Sequence, residues 1–382
     1  MGSDMNYCRK CSLKEGHPGI TFNEEGICSI CAGTPLSNTV LTYRNALKEY
    51  MSYEKAVQTL GHNYGCLLMY SGGKDSTYIL YKMLAAKKIR PLVFTLNHPF
   101  ESQNATRNIE RVLKKLNFDH VYYTPNKEYF NKLIRQAFLK EKTEISDNKA
   151  PEKTPCTICT LLMVLIAATF ALQLNIPYVL YCADPKQLSG GTVGGLKTAI
   201  HYLREIIGEE LLNEYFTVPV IQHLLETDEA KLPKIVSPFV IMNDYNPEAI
   251  IDELNQAGLY EGSPETTHCI LYPLLCDFTY RNFDCHFYAH EMAFSVREAN
   301  MDRDGVIKLD KGYRKIFREI LPKQELGSED LDFIKELIRY KYELMQGDKT
   351  GQRKNVGDLV DYEYDMIINT GKIANMLGLD LY

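Results

Sequence analysis

Leu67-Leu-Met-Tyr-Ser71-Gly72-Gly73-Lys74-Asp75-Ser76-Thr77 decides how the rest of this chain is read. An apolar run stops at two glycines, a lysine, an aspartate and two hydroxyl residues follow, and an amphipathic segment begins. The pattern predicts a buried strand, a glycine turn and a helix N-terminus. Glycines take positive φ and let the backbone approach a ligand. The free N–H groups and positive dipole end of the helix then favour a phosphate. Lys74 adds a point charge, and Ser71, Ser76 and Thr77 add hydroxyls. Asp75 is a carboxylate able to accept a proton or help hold Mg²⁺. The spacing is not that of the Walker A loop, which needs four residues between its first glycine and Gly-Lys-Ser/Thr.

Outward from this turn, apolar strands alternate with amphipathic helices. Strand candidates are 66–70, 91–96, 120–123, 178–182 and 217–220. Helix candidates lie near 76–87, 103–116, 127–140, 157–175, 196–207 and 246–257, with 329–346 and 359–376 near the end. Such alternation predicts βαβ units and an α/β fold built on a mostly parallel, doubly wound sheet. Four segments are expected: a cysteine-bearing ribbon (5–34), a helical linker (35–62), the α/β domain (63–258) and a mainly helical C-terminal region (259–382). Thr143–Pro155, charged and poor in helix signals, reads as a loop over the site.

The chain has 382 residues, 45% apolar and 24% charged, an ordinary globular balance with length for a substantial core. A net charge of −6 disfavours nucleic acid as a partner. No export signal is legible at the polar, cysteine-rich start. The apolar run Leu161–Leu174 reads as a buried helix too short for a bilayer, so no membrane partner and a cytoplasmic location are expected. Eleven cysteines without an export signal point to metal or redox chemistry rather than to disulfides.

Cys8-x2-Cys11 and Cys28-x2-Cys31 have the spacing of two metal-binding knuckles. Four thiolates would close a tetrahedron around Zn²⁺, leave no open position for chemistry, and supply folding energy to a segment without its own core. Cys156-Thr-Ile-Cys159 has three readings: a redox or sulfur-carrying dithiol, two ligands of an iron–sulfur cluster with a third from Cys276, Cys269 or Cys182, or a structural element at a helix start. Cys66 reads as core. His268, His286 and His290 are acid–base candidates. Asn300-x-Asp302-x-Asp304-Gly305 imitates the start of an EF-hand, but position twelve is Lys311, which would repel Ca²⁺. Ser189–Gly195 is glycine-rich without the dinucleotide-binding order and reads as a substrate loop.

Ser71-Gly-Gly-Lys-Asp-Ser76 resembles the PP-loop of the ATP pyrophosphatases, which cleave ATP between its α and β phosphates and adenylate a carbonyl oxygen. Together with Cys8-x2-Cys11 … Pro18-Gly-Ile-Thr-Phe22 … Gly26-Ile-Cys28-x2-Cys31, it is similar to the N-acetyl sugar amidotransferase family over 5–34 and 64–80. The likeness is looser through 81–185, at Thr154–Cys159 and Asn175-Ile-Pro177. It implies a PP-loop/HUP-like domain behind a zinc ribbon, using ATP and Mg²⁺. The implied reaction converts an N-acetyl group of a sugar or nucleotide-sugar to an acetamidino group in bacterial surface-glycan synthesis. Ammonia would come from a separate glutaminase partner. The phosphates would rest on Ser71–Thr77, with Lys74 and Asp75 catalytic and the adenine near Phe94–Leu96. Asp184, with Lys186 and Gln187, would leave the sheet on the ligand side. Thr267–Cys276, rich in cysteine, is reminiscent instead of PP-loop thiolases, which transfer sulfur on a three-cysteine iron–sulfur cluster. Nitrogen and sulfur both stay open as the attacking atom. A homodimer through the C-terminal helices is expected by analogy of fold alone.

Overall fold

The computed structural model describes residues 6–33, 64–85, 90–144, 154–183, 196–215, 218–240, 246–260, 269–297, 301–323, 325–346 and 356–379. They form two compact units, one of Met1–Pro35, Phe138–Thr154 and Ile270–Tyr382, the other of Leu36–Ala137 and Pro155–Cys269. The expected linker helix, the tip of the 143–155 loop, Asp184, Lys186, Gln187, Ser189–Gly195 and His268 lie outside the described residues.

In chain order, a single turn α1 (Ser29–Gly33) closes the cysteine-bearing ribbon, and the sheet unit follows. Its strands are β1 (Cys66–Met69), β2 (Pro91–Leu96), β3 (Asp119–Tyr123), β4 (Tyr178–Tyr181) and β5 (Lys234–Val236). All pair in parallel in the order β3-β2-β1-β4-β5. The chain builds outward from β1 to β3, then returns to lay β4 and β5 on the other side of β1. Helices supply the crossovers: α2 (Lys74–Ile79, continued by a π-type turn over Leu80–Ala85), α3 (Gln103–Lys115), α4 (Lys127–Glu144), α5 (Thr154–Gln173), α6 (Leu196–Ile207), α7 (Glu209–Tyr215) and α8 (Val218–Glu226); α9 (Pro247–Gln256) follows the last strand.

Every residue of β1 and β2 is buried, as expected of parallel strands covered on both faces. On one face Cys66, Leu68, Tyr70 and Val93 pack with Ile79 and Leu80, with Ile109 and Val112 of α3, and with Ile250 and Leu254 of α9. Elsewhere in the unit Phe170 of α5 meets Phe94 at 5.8 Å between ring centres.

Three expectations change. The described part of the 217–220 stretch, from Val218, is not a strand but the start of α8, where Pro219 suits a first helical turn better than a sheet interior. The fifth strand is instead Lys234-Ile-Val236, too short to carry a periodic signal, with Lys234 exposed at the sheet edge. Helix α5 outruns the 161–174 apolar core; by length and composition Pro155–Gln173 could cross a membrane, and 50% of that span is buried inside the structure.

The other unit holds α10 (Tyr272–Phe283), α11 (Ala289–Arg297), α12 (Arg303–Lys315, continued by a π-type turn over Ile316–Ile320), α13 (Ser328–Gln346), α14 (Val356–Ile368) and α15 (Thr370–Met376). Asp302 is the N-cap of α12, its Oδ2 accepting the Gly305 N–H at 2.7 Å. That cap accounts for the EF-hand-like string.

At the centre of this unit a charge pair is shut away from water. Lys341 and Glu363 side chains are each 1% exposed, with Nζ 3.2 Å from both carboxylate oxygens. Tyr313 donates to Glu363 at 2.6 Å and Tyr342 at 2.9 Å, so one carboxylate joins α12, α13 and α14. A buried pair is close to neutral for stability when complete, but leaving one charge alone costs about 3–5 kcal/mol. Glu363→Ala is therefore expected to lower unfolding free energy in urea by about 3 kcal/mol or more, while the double variant Lys341→Met/Glu363→Leu recovers most of that loss.

Candidate phosphate-binding turn and cysteine ribbon

The glycine turn leaves the carboxyl end of β1 beside β4, where the strand order reverses. In doubly wound sheets ligands bind at that point. The strand delivers the turn rigidly: Tyr70 N–H donates to Phe94 O at 2.8 Å, and Tyr70 O accepts from the Thr95 hydroxyl at 2.7 Å. Having given its proton away, Thr95 Oγ1 accepts from His120 Nε2 at 2.9 Å, which sets the Nε2–H tautomer. Burial holds the His120 imidazole down to about 4, so it stays neutral at physiological pH.

Gly72 has φ +70°, and a Cβ there would lie 2.5 Å from Ala105 O and 2.8 Å from Ile109 Cγ1 of α3. Both the backbone angle and the contact demand glycine. Gly73 is the N-cap of α2 and, being glycine, brings no capping side chain to the helix start. Ser76 Oγ donates to Gly73 O at 3.3 Å and lies 3.4 Å from Ser71 N and Oγ. Thr77 shares a 3.2 Å hydrogen bond with the buried Tyr70 hydroxyl. Lys74 Nζ and Asp75 Oδ2 form a 2.7 Å ion pair, their side chains 12% and 18% exposed. The expected group Ser71, Gly72, Gly73, Lys74, Asp75, Ser76 and Thr77 thus lies together in one turn, with the Lys74–Asp75 pair upon it.

Other predicted positions behave differently. Phe94 is fully buried and packs against Phe170 and, at 6.4 Å, Tyr123, and Leu96 is 5% exposed. Both side chains serve the core, which leaves backbone as what that strand end can offer a base. Cys66 is core, as expected.

Sequence reading singled out neither Tyr260 nor Glu101, and named Cys182 only as a candidate cluster ligand. Tyr260, 1% exposed, and Cys182 are pushed up first by burial and then by the charge of Asp75, so both stay protonated beside it. Glu101, in the loop after β2, is half-buried, with Oε2 enclosed and without a hydrogen-bond partner. Burial pushes its carboxyl up to about 7. Only the position of Glu101 just past a strand end, before the Ser102 cap of α3, could have flagged it.

In the other unit the ribbon gathers the Sγ atoms of Cys8, Cys11, Cys28 and Cys31 within 4.8 Å of one another, the only such cluster of three or more metal-ligand residue types among the described residues. Cys11 and Cys28 sulfurs are 3.7 Å apart. A tetrahedron with Zn–S near 2.3 Å has edges of about 3.8 Å, so the four residues fit that ion. Burial opposes the Cys8 thiolate, but N–H groups of Cys28, Lys10 and Cys11 outweigh it and hold the thiol down to about 6. Arg303 Nε donates to Cys8 O at 2.9 Å and to Cys11 O at 3.1 Å, pinning the first knuckle to α12.

Cys156 and Cys159 sit on the first turns of α5, three apart and so on one helix face. Burial, then the neighbouring Cys156, pushes the Cys159 thiol up to about 12. That disfavours a free reactive dithiol. Cys276 belongs to the other unit, fully buried on α10 with Sγ 3.9 Å from His286 Nε2. His286 Nδ1 accepts the Tyr288 N–H at 3.0 Å, and His290 lies against His17 with ring centres 4.8 Å apart. Both act within the packing of the helical unit.

No family model and no curated protein sequence matches the chain. Among solved structures it is similar to the U34-tRNA thiolase NcsA from Methanococcus maripaludis, described with its 4Fe–4S cluster, at 15% identity and TM-score 0.34 over 86% of this chain and 91% of that one. It is similar to the NMN synthetase from Francisella tularensis at 11% identity and TM-score 0.27, over 69% and 97% of the two chains. The NH3-dependent NAD synthetase from Campylobacter jejuni gives 13% identity and TM-score 0.27, over 59% and 99%. Likenesses this loose leave the reading of the site to its own residues.

Two outcomes are expected from this geometry. Gly72→Ala loses about 1–3 kcal/mol of unfolding free energy in urea, because the strained φ and the Ala105 carbonyl act together. Metal analysis of purified protein finds about one zinc per chain, and Cys8→Ser lowers both the zinc content and the melting temperature.

Proposed function

We propose that this chain is an ATP-dependent enzyme of PP-loop type that adenylates an amide or carbonyl oxygen and then replaces that oxygen with nitrogen. The observation that carries the reading is the Ser71–Thr77 turn: two glycines, two serines and Lys74 gathered where β1 passes into α2, at the reversal point of a parallel sheet. ATP would lay its phosphates along the turn. The substrate oxygen attacks the α-phosphorus, and the bond to the bridging oxygen breaks with its electron pair leaving on pyrophosphate. Lys74 and the N–H groups of α2 stabilise that charge, already in position before it develops. Asp75 is the carboxylate suited to Mg²⁺, which supplies charge neutralisation on the phosphates when bound. Ammonia then bonds to the activated carbon, its extra proton passes to a base, and the C–O bond breaks with its pair leaving on AMP.

The resemblance of the ribbon and the turn to the N-acetyl sugar amidotransferases supports an N-acetylated sugar or nucleotide-sugar as acceptor, a glutaminase partner as ammonia source, and a cytoplasmic location. The ribbon, with all four ligands on one metal, is a structural zinc site. Sulfur transfer is the second reading, favoured by the shared helix face of Cys156 and Cys159; iron and labile sulfide in anaerobically purified protein would move it to first place.

The test is AMP formation from ATP, ammonium and UDP-N-acetyl sugars, with Mg²⁺ present. Lys74→Ala is expected to lower the rate by about 10²–10³-fold, equivalent to about 3–4 kcal/mol in the barrier, with the fold intact by circular dichroism. A wild-type chain that neither binds ATP nor forms AMP would overturn the proposal.

A further inference from the structure

We infer that Glu101 is a ribose subsite: its carboxylate accepts the hydroxyl protons of a nucleotide whose phosphates lie on the Ser71–Thr77 turn. The inference rests on the ATP-binding reading above and adds a residue that no motif marks.

Position comes first. Glu101 follows β2, the strand beside β1, on the same carboxyl edge as the glycine turn. The next residue, Ser102, caps α3 by accepting the Ala105 N–H at 3.2 Å, and the Ala105 carbonyl is the atom that abuts Gly72. Glu101 stands four residues of chain before that contact, at most about 14 Å when fully extended, with α3 beginning at Gln103. A ribose hangs from its α-phosphate by one methylene, so a nucleotide on the turn keeps it at this same sheet edge. In dinucleotide-binding sheets an acidic residue about twenty residues past the glycine turn takes a ribose hydroxyl, which shows that a carboxylate at this edge suits that chemistry.

The state of the group comes next. Glu101 Oε2 is enclosed without a donor, although a carboxylate is an acceptor with about four sites to fill. The residue is only half-buried, so a ligand can reach its outer edge. Its backbone is held on both sides, by the N–H bond to His98 O at 3.1 Å and the antiparallel bridge to Cys269. The carboxyl is therefore placed rather than loose, and short of donors. Its titratable neighbour is Tyr122 of β3, whose phenol is raised to about 12 by burial and then by the Glu101 charge. No Lys or Arg among the described residues forms an ion pair with Glu101, and no second carboxylate, His or Cys group joins it to make a cation site. Neutral hydroxyl donors are the chemistry that fits, and a ribose presents two.

The experiment is calorimetric titration of the full chain with ATP and with 2′,3′-dideoxy-ATP, each with Mg²⁺. The wild type is expected to prefer ATP by about tenfold or more, the range of a hydrogen bond to a charged group. Glu101→Gln, near-isosteric, is expected to bind ATP as weakly as the wild type binds the dideoxy analogue. Lys74→Ala should weaken both nucleotides while keeping the preference, which separates the ribose subsite from the phosphate cradle. Equal wild-type affinity for the two nucleotides would overturn the inference, as would a preference surviving in natively melting E101Q. Wild-type protein binding neither nucleotide would remove the phosphate reading and this subsite with it.

Discussion

The contact between Gly72 and the first turn of α3 is the constraint on which the candidate site depends. A carbonyl stands 2.5 Å from where any β-carbon would be, so helix and turn approach as closely as two backbones can. The approach fixes the exit direction of β1, the start of α2 and the placement of Ser76 and Thr77 behind the loop. It also ties the loop after β2 to the turn after β1. Lys74 and Asp75 then need only project from a backbone whose course is already decided. The polar chain from His120 through Thr95 to the Tyr70 carbonyl reinforces this from behind, using a histidine kept neutral by burial.

Much of the sheet was legible because buried parallel strands leave uninterrupted apolar runs between glycine and charge, as at 66–70 and 91–96. The glycine turn was legible because its members are adjacent in sequence, so spacing alone stated their geometry. What stayed hidden is of two kinds. Lys234–Val236 is a strand only because β4 lends it a partner, and three residues carry no period of their own. Tyr260 and Cys182 come near Asp75 from a later loop and a separate strand end, Glu101 stands past the end of β2, and nothing in one sequence pairs them. The misread 217–220 stretch shows local β-propensity yielding to a proline at a helix start. Asp302 shows the converse, an apparent metal motif that is a helix cap.

The helical unit solves a different problem from the sheet unit. Its core is rich in tyrosine, and its centre is a satisfied ion pair rather than aliphatic packing. Such a centre rewards one arrangement of α12, α13 and α14 over others, since a shifted helix would strand a charge. The ribbon is held to this unit by polar contacts as well as by Ala293 and its neighbours. Tyr7 donates to Asp310 at 2.7 Å, Lys14 and Arg314 pair with Asp284, and Arg303 grips the first knuckle.

That grip has a consequence for biosynthesis. Arg303 and Cys8 are 295 positions apart, and the compact unit they share is made from both ends of the chain with the sheet unit inserted between. A ribosome releases the knuckles long before it releases the helix that receives them. The knuckles must therefore wait for α12 while the sheet unit condenses. Closing a loop of that length adds only logarithmically to the entropy lost, and prior folding of the insert shortens it further. Vectorial synthesis thus leaves the first knuckle without its Arg303 berth until most of these residues have been made.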